Sequence, residues 1–151
     1  MTPPHLQRYL HEHIPLTAAM DVKVVSCGID AVHLSAPIEP NINHRNTVFG
    51  GSASALAIIS AWSVVHLCLH NTPDAAARIV IQKNSMTYDE PIDSDFAAIS
   101  PGPAKRDWDR FIDSLHRKGI ARITLQSTIF AAGAPAAQFE GSFVAIAYPQ
   151  G

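Results

Sequence analysis

The chain has 151 residues, a mass of 16.3 kDa and a formal net charge of −2. That length suits one domain with its own core, here residues 1–151, and the near-zero charge leaves no electrostatic case for nucleic acid. Two cysteines, Cys27 and Cys68, are too few for a disulfide framework and read as buried free thiols. No basic segment leading into a short apolar stretch opens the chain, so a cytoplasmic location is expected.

In chain order, Thr2-Pro3-Pro4 followed by Leu6, Tyr9 and Leu10 predicts a short amphipathic helix, with Thr2 as its cap and Pro15 as its end. Asp21–Ser26 and Ala31–Ala36 read as strands joined across a Cys27-Gly28-Ile29-Asp30 turn, a hairpin pattern. Pro37 and Pro40 bracket the exit into the polar loop Asn41-Ile-Asn43-His44-Arg-Asn-Thr-Val-Phe49. Gly50, Gly51 and Ser52 then lead into a long apolar run from Ala53 to Leu69. Its Ala, Leu and Ile content favours helix, with Ser52 as the expected cap.

Further strands are predicted over Arg78–Tyr88, Asp95–Ser100, Ile120–Phe130 and Gln138–Tyr148. Asp89-Glu90-Pro91 separates the first two, and a turn over Ala132–Pro135 separates the last two. Between them, Trp108, Phe111, Ile112 and Leu115 recur at i, i+3, i+4 and i+7, one face of a helix that Gly119 closes. Strands in hairpin pairs around one very apolar helix predict an α+β domain with an antiparallel sheet wrapped on that helix.

From Val48 to Leu69 there is no Asp, Glu, Lys or Arg, and about 20 such residues can span a bilayer. The run carries two glycines, four serines and a histidine, and no Lys or Arg cluster flanks it. A buried central helix is therefore the expectation, with no membrane partner.

The start of that helix is where chemistry is expected. The first turn of a helix presents unpaired N–H donors and a partial positive charge, suited to a carbonyl oxygen that becomes an oxyanion. No Gly-x-Ser-x-Gly elbow and no Gly-rich phosphate loop is present. His5, His11 and His13 have no further ligand at zinc spacing, so no metal is expected.

The segments Ile14-Pro15-Leu16-Thr17, Asn41-x-Asn43, Thr47-Val-Phe-Gly-Gly-Ser52, Tyr88-x-x-Pro91 and Phe139-x-Gly141-x-Phe143-Val144 resemble the hotdog-fold thioesterases. More narrowly, they resemble the YiiD C-terminal-type family, over nearly the whole chain. The resemblance implies hydrolysis of an acyl thioester carried by coenzyme A or acyl carrier protein, with no other cofactor, in a homodimer or a dimer of dimers. It further implies Gly51 as an oxyanion donor and Asn43 as the residue that orients water or the carbonyl.

Ser52 and Ser54 are additional catalytic candidates, and His44, Phe49, Gly50 and Tyr88 are candidate substrate contacts. His44 also titrates near neutrality, as a base must. Each has a structural alternative: Asn43 and His44 as loop residues, Gly51 as a turn glycine, Ser52 as a cap, Ser54 as a small packing residue.

One departure affects the mechanism. Many such enzymes carry a carboxylate on the central helix about two turns after the glycines, where this chain has Ile58. Asp89, Glu90 or Asp95 could supply one from a neighbouring strand or another subunit, although turn and strand-edge solvation is the more ordinary role for each. A non-catalytic acyl-binding protein is the alternative function, and a hotdog dehydratase or hydratase is a third.

Overall fold

The structure is a computed structural model and describes residues 1–149. Six strands form one antiparallel sheet in the order β1-β2-β4-β5-β6-β3. Their bounds are β1 Lys23–Cys27, β2 Ala31–Ala36, β3 Ala77–Tyr88, β4 Phe96–Pro101, β5 Ile120–Ala131 and β6 Ala134–Ala147. Helix α3, Gly50–His70, lies along the concave side, with α1 (Pro3–His13), α2 (Pro15–Ala19) and α4 (Lys105–Lys118) at the margins. This is the hotdog arrangement of a sheet around one long helix.

Helix α3 is apolar nearly all round because β2 to β6 all pack against it. Leu56, Ala57, Ala61 and Val64 are fully buried. Ser60 and Ser63 are equally buried, and Ser60 shares a hydrogen bond of 2.8 Å with Ser127 of β5. Only one stripe stays uncovered by the sheet: Gly51, Ser54, Ala55, Ile58, Trp62, His66 and His70, spaced by three or four residues. The helix is long and apolar enough to cross a membrane, yet most of it is enclosed by its own sheet.

Helix α1 lies beside this stripe. Thr2 caps it through a bond from the His5 N–H, as expected. Leu6 and Leu10 keep no exposed surface, and burial of each is worth about 1.5–3 kcal/mol. Gln7 accepts a bond from the Val24 N–H, and the His11 ring bonds the Val22 carbonyl, so α1 also closes the β1 edge. Among the described residues no strand pairs with the outer side of β3, which is the opposite edge.

Several boundaries differ from expectation. Pro15 ends α1 but also opens α2, because proline suits the first turn of a helix. Asp21 takes a left-handed φ of 57°, which delays β1 to Lys23. The turn before β6 is only Ala132-Gly133, with φ of 51° and 77°, so the last strand begins at Ala134 rather than Gln138.

The larger difference is in pairing. β3 and β4, adjacent in sequence, do not pair: β3 lies on β6, and β4 sits between β2 and β5. The extended Asp89–Asp95 connection carries the chain across the mouth of the sheet instead of turning it back. Helix α4 follows its predicted pattern, with Phe111 and Leu115 buried and Gly119 left-handed at φ 73°.

Candidate functional site

The loop before α3 is held by its asparagines. Asn41 is buried and donates to the carbonyls of Met20 (3.0 Å) and Pro37 (2.8 Å). Asn43 Oδ1 accepts the N–H groups of Arg45 (2.8 Å) and Thr47 (3.2 Å). Its Nδ2 donates to Thr47 Oγ1 at 2.8 Å and the Val48 carbonyl at 3.5 Å. Asn43 therefore closes a turn, while Asn46 takes the left-handed φ of 61° that asparagine tolerates. The Val48 N–H donates to Ile92 O, and the Phe49 N–H to Asn41 O, both at 2.7 Å. These bonds keep the backbone extended up to the residue where α3 starts.

The helix consequently begins one turn earlier than its serine suggested. Phe49 is the N-cap, and its carbonyl accepts the N–H groups of Ser52 (2.9 Å) and Ala53 (3.2 Å). Ser52 is thus not the cap, and its backbone donor is already used. The N–H groups of Gly50 and Gly51 have no partner among the described residues. They are the two free donors at the positive end of a 21-residue helix. The Phe49 ring, 58% exposed, folds back over Gly51, where any Cβ would collide with it.

Tyr88, at the end of β3, donates its hydroxyl to the Gly50 carbonyl at 2.8 Å. A cavity of about 280 Å³ opens here, lined by Thr47, Val48, Gly50, Ala53 and the segment Tyr88–Ile92. That segment is pinned by the N–H groups of Asp89 (2.9 Å) and Glu90 (3.1 Å), which both donate to the Ala136 carbonyl. Asp89 and Glu90 therefore line the same cavity as Gly50.

Of the sequence candidates, the structure brings Gly50 and Tyr88 into this cavity, with Gly51 and Phe49 beside it at the helix start. Ser54 stands one turn further along and is half-buried, with no side-chain hydrogen bond among the described residues. His44 is exposed on the loop, likewise without one, and does not line the cavity. Asn43 is bound into its own turn. Thr47, Val48 and Ala53 were missed. Their signal is proximity: Thr47 and Val48 come just before the paired glycines, and Ala53 lies one turn after Phe49.

Comparison with known proteins follows the same lines. The family model described as "Putative thioesterase (yiiD_Cterm)" matches residues 4–147. A protein of unknown function from Chlorobaculum tepidum is 28% identical, covering 97% of this chain and 98% of its own, with a TM-score of 0.90. A protein from Shewanella oneidensis described as a "putative thioesterase" is 25% identical over 95% of this chain and 96% of its own, with a TM-score of 0.80. A thioesterase from Haemophilus influenzae shares the fold at 14% identity, covering 99% and 94%, with a TM-score of 0.77. Since the family model spans nearly all of the sequence, the chain belongs to the YiiD C-terminal family.

Proposed function

We propose that the protein hydrolyses an acyl thioester, carried by coenzyme A or acyl carrier protein, at the start of α3. The observation that carries this reading is the pair of free N–H groups at Gly50 and Gly51, beside a cavity rimmed by Asp89 and Glu90. The thioester carbonyl oxygen accepts from the two glycines. Water attacks the carbonyl carbon and gives its proton to Asp89 or Glu90, which stand in for the carboxylate missing at Ile58. The tetrahedral intermediate then expels the thiolate as the C–S bond breaks, and the thiolate takes that proton. The products are a carboxylic acid and a free thiol.

Phe49 and Tyr88 flank the reacting group, and His44 lies farther out along the loop. Asn43 acts by shaping the turn that sets Phe49 and Gly50. Ser52 and Ser54 offer hydroxyls on the first turns of the helix. A second copy pairing along the free β3 edge would remove an unpaired strand and shelter the exposed carboxylates.

The test is thiol release from acyl-coenzyme A substrates, from acetyl to palmitoyl and aromatic acyls, by wild type, Asp89→Asn and Glu90→Gln. Loss of a general base lowers turnover by ~10²–10⁴-fold. A fall of that size in one variant supports the mechanism, and undiminished turnover in both removes these carboxylates from it. Ile58 on the helix favours the second reading, a non-catalytic acyl binder. Saturable acyl binding with no turnover on any substrate would establish that reading instead.

A further inference from the structure

Far from the free donors, five rings from two helices gather on the open stripe of α3. Tyr9 of α1 stacks on His13 with centroids 4.1 Å apart, and on His66 of α3 at 4.8 Å. His66 stacks on Trp62 at 4.9 Å, with His70 at 6.4 Å along the same helix. Interplanar angles of 13–28° make this one roughly parallel cluster. It is the aromatic contact between α1 and the central helix, beside the Leu6 and Leu10 anchors.

We infer that α1 is a pH-sensitive strap over the central helix, released when His66, at the centre of the His13–Tyr9–His66–Trp62–His70 cluster, takes up a proton.

His66 is the centre of this device. Its Nε2 is buried and has no hydrogen-bond partner among the described residues. A neutral ring tolerates this with its lone pair there, but an imidazolium would bury a charged N–H with nothing to accept it. Burial holds the His66 pKa below its ordinary value, with His70 and then His13 adding repulsion.

No carboxylate lies within ion-pair distance of the three imidazoles among the described residues. From α1 the cluster meets Tyr9 and His13. From α3 it meets His70. On β3 the inward residues Ala77 and Ile79 are apolar, and Arg78 is exposed between them. Asp74 and Tyr148 share with His66 and His70 a cavity of about 450 Å³ that runs beside the cluster. The faces of Tyr9 and Trp62 attract a cation and offset part of the repulsion. They provide no acceptor for Nε2–H.

The sign follows from linkage. A released His66 titrates near ~6.5, whereas the docked one titrates lower. Above both values the strap is unaffected. As pH falls from ~6.5 to the docked value, only the released form gains the proton, so docking weakens; below it the loss is constant. Release would bare Trp62 and His66 on the stripe.

The experiment is amide exchange at Leu6–Leu10 against β5–β6, at pH 7.5 and 5.5 after correction for intrinsic rates. It is paired with Trp62 fluorescence in a Trp108→Phe background. The expected result is a selective speeding of α1 exchange at low pH, on the order of tenfold or more, with a red shift of Trp62. His66→Phe keeps a ring in the stack and should abolish both responses. Should that variant misfold, the His13→Gln/His70→Gln double variant must raise the His66 midpoint in an NMR titration. A pH-independent α1, a response retained in His66→Phe, or an unmoved midpoint in the double variant would each overturn the inference.

Discussion

Asn43 uses both side-chain atoms inside its own loop, accepting twice and donating twice. Hydrogen bonds of this kind are worth about 0.5–1.5 kcal/mol each, less where exposed, so Asn43→Ala should lose about 1–2 kcal/mol. For a chain of this length each kcal/mol lowers Tm by about 2–4 °C, which a thermal melt detects. Turnover should fall with stability, and Asn43→Asp, which keeps the acceptors, should be intermediate. Loss of turnover at unchanged Tm would instead make Asn43 a direct substrate contact. The two thiols give an independent check on the interior. Burial, and then Asp30, push the Cys68 thiol up to about 11, and burial also raises that of Cys27, which is the less deeply buried of the two. Iodoacetamide at pH 8 should therefore modify Cys27 first and reach Cys68 only on unfolding, as read by mass spectrometry. Asn43 and Tyr88 stood out in the sequence through their resemblance to thioesterase motifs, and Gly51 through the Gly-Gly start of an apolar helix as well. It did not show that Asn43 faces its own turn, since the same side chain can bind a loop or a ligand.

Helix starts are where local preference and tertiary structure competed. Ser52 is a good cap by propensity, yet the bonds from Val48 to Ile92 and from Phe49 to Asn41 fix the extended backbone first. The helix then begins wherever that constraint ends. This makes Gly50→Pro a clean probe. Gly50 is the first helical residue, where proline is favoured, and Phe49 has a ψ of 131°, as a residue before proline requires. The substitution deletes one donor with the helix retained. If Gly50 holds the oxyanion, kcat should fall by ~10²–10³ with little change in Tm, measured on the best substrate of the thiol-release panel. At the other end of the molecule, Gly119 caps α4 at φ 73°. Gly119→Ala should destabilise by about 1 kcal/mol because a Cβ disfavours that conformation, again read by melting. Strands and helices were readable because their periods of two and 3.6 are local. The β3–β6 partnership was not, since alternation reveals a strand and leaves its neighbour open.

At the scale of the whole molecule, the two edges of the sheet are treated differently. α1 covers β1, while β3 presents a 12-residue edge with Val80 and Tyr88 about half exposed. Pairing through that edge predicts a dimer by light scattering at micromolar concentration. Specific activity should then fall on dilution wherever a neighbouring copy shelters the carboxylates. A monomer with concentration-independent activity would place the entire site in one chain. The strand order also has a consequence for synthesis. β3 leaves the ribosome long before β6, the strand it must lie against, because about 60 residues separate their ends. At ~5–20 residues per second the nascent β3 waits for roughly 3–12 seconds with both edges bare. Helix α3 is already available to cover one face of it, so the order helix-then-strand shields an unpaired edge strand during that interval.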